Sequence, residues 1–284
     1  MRKHPRGMAL IQALLIVAAI AAVATALMLR AERARERLDW RQGAEQATLY
    51  IGSAVSLLRT RLPDGPVNRR QDWARPRDGI EIDRGFLAWE ITDLSGRFNL
   101  NLLKADEDGR WHAAFRLLAE GQGLSDDAVT DILAEIDSRE DAEPISAPLF
   151  LRGVVGDARD DWDALLPFLT ALPRATALNI NTMSDAVFAA LTPDLPGLTR
   201  DAILRQVQRE PADEIATLNT WIAQRFGDEV AAAFETLPLG TTSRYFEARI
   251  EARLDTLALR RSVVIDTGGP EGDSAVLMSL PELP

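Results

Sequence analysis

Arg6-Gly7-Met8-Ala9-Leu10-Ile11-Gln12 marks the point where a short basic leader meets a long apolar run. No residue from 8 to 29 is charged. At about 1.5 Å per residue the run is roughly 33 Å long, enough to cross a hydrocarbon core of roughly 30 Å. A helix that starts in lipid and continues into water must bury whichever face stays apolar above the membrane. The reading of this stretch therefore decides the fold.

Three readings compete for it. A secretory signal peptide has a basic start, an apolar core of 7–15 residues and a small-residue cleavage site, and Ala22-Val23-Ala24 and Ala24-Thr25-Ala26 both have the form of such a site. Against this, the core is long and the helical pattern runs on past it without a break. A signal anchor fits the length equally well, with Arg2, Lys3 and Arg6 holding the N-terminus in the cytoplasm. The third reading is a prepilin-type leader: a short basic peptide ending in Gly7, cut before an apolar helix that stays in the membrane. The rest of the chain must choose among them.

Beyond Leu29 the residues Arg30, Glu32, Arg33, Arg35, Glu36 and Arg37 are dense, mixed charge, which reads as a solvated helix with i,i+4 ion pairs. After Gly43, the residues Ala47, Ile51, Ala54, Val55, Leu58 and Leu62 recur at spacings of three and four, an amphipathic stripe. Pro63-Asp64-Gly65-Pro66 ends it, since proline removes an N–H from the helical ladder and glycine supports a turn. The expectation is one helix over residues 9–62, roughly 80 Å long, apolar all round in its first half and on one face in its second.

Strand patterns follow at residues 80–82 and 86–91, bounded by Gly79, Gly85 and the turn Leu94-Ser95-Gly96-Arg97, with Phe98, Leu100, Leu102 and Leu103 resuming apolar character. A meander of short strands against the amphipathic helix is the natural packing, because each buries the other's apolar face. Residues 104–240 read as helical. Segments at 111–120, 125–139, 161–172, 184–191, 199–208, 218–226 and 229–237 are separated by Pro173, Pro193, Pro196-Gly197 and Pro211. After Gly240 comes the cleanest alternation in the chain: Phe246, Ala248, Ile250, Ala252 and Leu254 alternate with Glu247, Arg249, Glu251, Arg253 and Asp255. That is a half-buried antiparallel strand, with residues 257–265 as its partner and 275–280 as a last apolar piece. Strands before and after a helical block imply one sheet interrupted by an insertion.

Composition narrows the function classes. The chain has 284 residues, no cysteine and a net charge of −11. Absence of cysteine excludes disulfides and thiolate metal sites. The acidic balance argues against broad contact with a phosphate backbone, which draws its affinity from Lys and Arg. His112 is the one histidine outside the leader, and the sequence has no Gly-x-Ser-x-Gly elbow, His-Glu-x-x-His pair or phosphate loop. An enzyme is not expected.

Four stretches, read together, resemble a known family: the large minor pseudopilin of bacterial type II secretion, general secretion pathway protein K. They are Arg6-Gly7-Met8-Ala9-Leu10-Ile11, Asp93-Leu94-Ser95-Gly96-Arg97-Phe98-Asn99-Leu100-Asn101-Leu102-Leu103, Ala177-Leu178-Asn179-Ile180-Asn181-Thr182, and Ser243-Arg244-Tyr245-Phe246. The resemblance implies an α+β, pilin-like fold: a long N-terminal helix packed on an antiparallel sheet, with a large all-α domain inserted between strands. Its expected parts are a leader (1–7), the transmembrane half of the helix (8–29), a first pilin-like part (30–103), the insertion (104–240) and returning strands (241–284). The resemblance also implies cleavage after Gly7, N-methylation of Met8, and a single-pass inner-membrane protein with its soluble part in the periplasm. The implied partners are the prepilin peptidase, the inner-membrane secretion platform and the other minor pseudopilins, with which it would form a tip that initiates pseudopilus assembly.

Counting from Met8, the fifth residue is Gln12, where most pilin-like proteins carry glutamate. In the family picture that carboxylate pairs with the terminal amine of the subunit above. A tip subunit has none above it, and an acidic or basic residue mid-bilayer costs about 2.5–3.5 kcal/mol on insertion scales, so a neutral Gln12 is the expected choice there.

The chain departs from the family at residues 138–149, which are short and lack a Gly- and Tyr-rich run, and at Met183, where alanine is usual. Some family members bind calcium, which takes six to eight oxygen ligands. Two acidic runs offer oxygens here: Asp137, Glu140, Asp141 and Glu143, and Asp157, Asp160, Asp161 and Asp163. Neither follows EF-hand spacing, so no metal ligand is assigned and no cofactor is required.

The alternative class is a membrane-anchored helix-hairpin-helix DNA-binding protein. Residues 178–182, a helix, then Leu195-Pro196-Gly197-Leu198-Thr199 and a second helix resemble that module. However, Thr199 replaces its second glycine, and Asp185, Asp194 and Asp201 oppose an anion. A structural hairpin within the insertion is the expectation, with no nucleic acid bound.

Overall fold

The computed structural model describes residues 6–139, 144–173, 176–268 and 273–282, with side chains from residue 11 onward. One helix, α1 (Arg6–Arg59), spans 54 residues, about 80 Å. It stops three residues short of the expected end. A tight turn closes it instead, with the N–H groups of Thr60, Arg61 and Leu62 bonded to the Leu57 and Leu58 carbonyls ahead of Pro63. The apolar positions spaced at three and four form its buried seam: Ala47, Ile51, Ala54 and Leu58, continued by Leu62.

The seam lies on a five-stranded antiparallel sheet formed by β1 (Arg77–Ile82), β2 (Gly85–Asp93), β7 (Tyr245–Leu254), β8 (Leu257–Asp266) and β9 (Ala275–Pro281), in the order β1-β2-β7-β8-β9. The alternation of the late strand is realised directly. Phe246, Ala248, Ile250, Ala252 and Leu254 are buried against α1 with Leu87, Ile91, Val263 and Ile265, while Arg249 and Arg253 stand exposed on the other face. Trp73 closes one end of this core edge-on to Phe246, ring centroids 5.2 Å apart. At the other end the two hairpin turns lock together: the Asp255 N–H donates to the Arg84 carbonyl, and their side chains form an ion pair.

Between β2 and β7 the chain leaves the sheet and builds a second core. It contains α2 (Arg110–Gly121), α3 (Asp126–Ser138), α4 (Arg159–Leu165), α5 (Asp185–Leu191), α6 (Gly197–Arg209), α7 (Ile215–Phe226) and α8 (Asp228–Glu235). Ser125 and Ser184 cap α3 and α5 through their side chains, satisfying helix N–H groups that have no partner within the helix. Phe115, Ile132, Trp162, Phe188, Ile203, Ile222 and Phe234 are fully or almost fully buried here.

Two expectations are corrected. Phe98 and the leucines after it do not extend the main sheet. Phe98–Asn99 is a two-residue strand, β3, parallel to β4 (Leu169–Thr170), and Leu100–Ala105 is a 3-10 turn whose leucines join the helical core. The helix expected over 161–172 runs from Arg159 to Leu165, continues as one 3-10 turn through Pro167, and then extends into β4. Proline lacks the N–H that a continuing α-helix needs, and Leu169–Thr170 pair instead with β3. A matching parallel pair joins β5 (Leu178–Asn179) to β6 (Leu239–Gly240).

Candidate assembly site: membrane helix, stalk and buried junction

Among the described residues one helix is long and apolar enough to cross a membrane, and its apolar window is entirely unburied. Ile11, Leu14, Leu15, Ile16, Val17, Ile20, Val23 and Leu27 are all about 60% exposed. In water that would expose apolar surface on every side, whereas lipid matches it. Gly7 and Met8 lie in the first turns of α1, and Gln12 is exposed among the apolar residues. The next turns, residues 30–42, are exposed, and so form a stalk.

The expected i,i+4 ion pairs in that stalk are absent among the described residues; no carboxylate lies within 4.0 Å of Arg30, Arg33, Arg37 or Arg41. The order of charges accounts for part of this. Glu32 and Glu36 stand four apart, as do Arg33 and Arg37, and Arg37 and Arg41, so these neighbours carry the same sign. Arg35 and Asp39, and Arg41 and Glu45, have the right spacing and sign but do not close to 4.0 Å.

Three of the four recognition stretches come together at the junction between sheet and helical block. Asp93, at the end of β2, is buried. Its Oδ1 accepts from the Ser95 N–H at 2.8 Å, and its Oδ2 accepts from Asn179 Nδ2 at 3.2 Å, from the Ser243 hydroxyl at 2.6 Å and from the Thr182 hydroxyl. Burial pushes the Asp93 carboxyl above its ordinary range, against the hydrogen bonds from Ser243, Thr182, Ser95 and Asn179, which favour the charged form. Asn179 also donates to the Val67 carbonyl and to Ser243 Oγ. Gly96 is required beside it, because a Cβ there would stand 2.6–2.7 Å from Thr182.

The two Asn-x-Asn sequences make the same device twice. Asn99 Oδ1 accepts from Asn101 N–H at 3.2 Å, and Asn179 Oδ1 from Asn181 N–H at 3.0 Å. The second asparagine then clasps one distant backbone residue by both its N–H and its C=O. Asn101 holds Ile145 at 2.8 and 3.0 Å, and Asn181 holds Ala212 at 2.9 and 2.9 Å. Each clasp closes a long loop with a side chain that mimics a strand partner. Arg244, next to the junction, is paired through two bonds of 2.6 and 2.8 Å with Asp266, and this hydrogen-bonded pairing raises its pKa. Sequence reading recognised these residues as motif but missed that they meet; only the repeated Asn-x-Asn signalled it.

The helix-hairpin-helix resemblance resolves into a structural hairpin. Arg200 folds back from α6 to donate to the carbonyls of Ala189 and Thr192, so it helps close the α5–α6 turn. Among the described residues no group of three or more His, Asp or Glu stands in metal-holding geometry. Asp163 is paired bidentately with Arg152, and Asp137 lies 3.4 Å from His112 Nε2. Glu140, Asp141 and Glu143 fall outside the described residues.

A membrane helix whose upper half is the spine of an antiparallel sheet defines a membrane-anchored, pilin-like subunit. No family model matches the chain. It is 29% identical to type II secretion system protein K of Pseudomonas aeruginosa, over 94% of this chain and 89% of that one. It is also 29% identical to the protein K of Aeromonas hydrophila, over 91% and 92%, and 27% identical to that of Pectobacterium carotovorum, over 65% and 69%. Its fold matches a chain in the crystal structure of the GspK-GspI-GspJ complex from the enterotoxigenic Escherichia coli type 2 secretion system. The TM-score is 0.73 at 20% identity, over 87% of this chain and all of that one. Over most of its length the chain is similar to type II secretion system protein K, and these likenesses support a minor pseudopilin of type II secretion.

Proposed function

We propose that this minor pseudopilin sits at the tip of the pseudopilus, where it helps to initiate assembly and so promotes export of folded proteins from the periplasm. Gln12 carries the reading. It is a neutral residue, the fifth counted from the proposed new N-terminus at Met8, and a subunit with none above it has no terminal amine for a carboxylate to pair with. Residues 1–7 are the leader, 8–29 the membrane half, and 30–103 with 241–284 the pilin-like part, around the insertion at 104–240. On this reading the prepilin peptidase cuts after Gly7, Met8 is methylated, and the soluble part faces the periplasm. The partners are the inner-membrane platform and the other minor pseudopilins; a solved relative crystallised in a complex with GspI and GspJ. The role is assembly without a catalytic residue or a required cofactor, with calcium an optional ligand of the acidic loops.

The test is the intact mass and N-terminal sequence after coexpression with a prepilin peptidase. A chain beginning at Met8 with one extra methyl group is the expected result. A start after Ala24 or Ala26 makes it a released protein and overturns the reading, as does an uncut chain.

A further inference from the structure

The stalk carries a surface that none of the described residues covers. Trp40 is 63% exposed, yet it stands two helical turns below buried Ala47 and three below Ile51. The seam that packs on the sheet therefore continues below the sheet as an open indole, in a shallow recess lined by Glu36, Arg37, Trp40 and Arg41. Beside it Arg33, Arg37 and Arg41 recur every fourth residue along one face, each exposed and without a carboxylate partner among the described residues. Residues 30–41 hold five arginines against three acids in a chain whose net charge is −11.

Distance selects what can meet this face. By helical rise Arg37 and Arg41 stand about 12 and 18 Å above Leu29, whereas the headgroup layer is only roughly 5–7 Å deep on each side. Lipid phosphates reach the foot of the stripe and not its upper half. Residues 30–42 are all exposed and Gly43 is the first half-buried one, where an added Cβ would stand 3.5 Å from Leu257, so the exposed stalk is roughly 20 Å long. A helix of about 10–12 Å diameter fits within that length. A helix leaving the same bilayer runs alongside the stalk over its whole length and can place acids at the same four-residue spacing.

We propose that Trp40 with Arg33, Arg37 and Arg41 receives an acidic stripe on the N-terminal helix of a neighbouring pilin-like subunit, running parallel out of the same membrane. This rests on the pseudopilin reading above. Tryptophan supplies the desolvated anchor and the arginines fix partner and register, the division of labour expected of an interface with few charged contacts.

Because the chain has no cysteine, Ala34→Cys, an exposed position beside the stripe that leaves Trp40 in place, gives the full-length protein a unique thiol. It is coexpressed with the other minor pseudopilins, each carrying single cysteines along the periplasmic half of its own N-terminal helix, and membranes are oxidised. The expected result is a disulfide to one neighbour at positions one turn apart. Reversing Arg33, Arg37 and Arg41 together to Glu should lower that crosslink about tenfold, as the loss of three exposed charge pairs implies. Lysines in place of the partner's acids should restore it, and Arg35→Glu, on another face, should leave it unchanged. If the wild-type pseudopilins co-purify but the crosslink is indifferent to charge reversal, the stripe has no such role and the pseudopilin reading stands. If the triple variant keeps the crosslink but loses binding to vesicles containing phosphatidylglycerol, the arginines serve lipid and the proposal falls. If no pseudopilin is retained by the wild type, both readings fall.

Discussion

Asn179 and Asp93, 86 residues apart in the chain, meet at 3.2 Å between Nδ2 and Oδ2. That contact ties the helical insertion to the strand from which it departs. Oδ2 of Asp93 also receives the hydroxyls of Thr182 and Ser243, so the chain's exit from the sheet, its middle and its return are fixed on one oxygen. Asp93→Ala removes the acceptor and leaves the Ser95 N–H and the Ser243 hydroxyl without one, while Asn179 keeps the Val67 carbonyl and Thr182 keeps a 3.4 Å bond to the Asn179 carbonyl. Each group so stranded costs about 1–3 kcal/mol, so a loss of at least about 2 kcal/mol is expected in urea unfolding of the detergent-solubilised chain. A loss below about 1 kcal/mol would show that water substitutes for the carboxylate.

The asparagine clasps predict a local effect. Asn181→Ala removes two bonds to Ala212, and Asn101→Ala removes those to Ile145. Each should cost about 1–3 kcal/mol and speed amide hydrogen exchange at the clasped residue while leaving the other clasp unchanged. Asn181→Asp should not rescue, because a carboxylate accepts from the Ala212 N–H but cannot donate to its carbonyl. Equal exchange at Ala212 in wild type and variant would show that the clasp does not hold the loop.

The parts of this architecture legible in the sequence are those governed by one element's own periodicity. Ala47, Ile51, Ala54 and Leu58 mark their helix face by spacing, and Phe246 to Leu254 mark their strand face by alternation. What could not be read is set by partners far along the chain. The two-residue pairing of Phe98–Asn99 with Leu169–Thr170 is too short for any pattern, and it converts one expected strand into a 3-10 turn and shortens one expected helix. The stalk failed for a different reason. Its charges are dense and mixed, as i,i+4 pairs require, but Glu32/Glu36, Arg33/Arg37 and Arg37/Arg41 align like signs, and the exposed opposite neighbours Arg35/Asp39 and Arg41/Glu45 stay apart in water.

His112 predicts a dependence on pH. Its Nδ1 lies 2.6 Å from Asp106 Oδ2 and its Nε2 3.4 Å from Asp137 Oδ1. Burial works against the charged ring, but the two carboxylates outweigh it and hold its pKa above the ordinary value. Burial likewise opposes ionisation of Asp106, and the bonds from His112 prevail and lower its pKa. A raised histidine contributes stability that is fully present below its unfolded pKa, near 6.5, and is lost as pH rises through the folded value. A lowered aspartate contributes above its own unfolded value, near 3.9, and loses that as pH falls through the lower one. The pair is therefore strongest between about pH 4 and 6.5. The urea midpoint should fall as pH is raised from 6 to 8.5, and His112→Gln should flatten that slope. An unchanged slope in the variant would assign it to another group.

Two glycine substitutions should act with opposite signs. Gly85 opens β2 opposite Leu254, and a Cβ there would overlap the Arg253 carbonyl and lie 3.1 Å from Leu254 Cα. Every obstacle is backbone, so the β2–β7 ladder must part at the end where Arg84 and Asp255 pair. Gly85→Ala should destabilise by about 1–3 kcal/mol, the range for overpacking a filled site. Gly52 lies on the exposed side of α1 with nothing within 4 Å of an added Cβ. Alanine there should stabilise by about 0.5–1 kcal/mol, because it restricts the unfolded backbone and joins the helix without strain. Thermal unfolding of the two variants beside the wild type checks both signs. Gly52→Ala falling below the wild type would mean that this turn of α1 does not keep its helical geometry in the working protein.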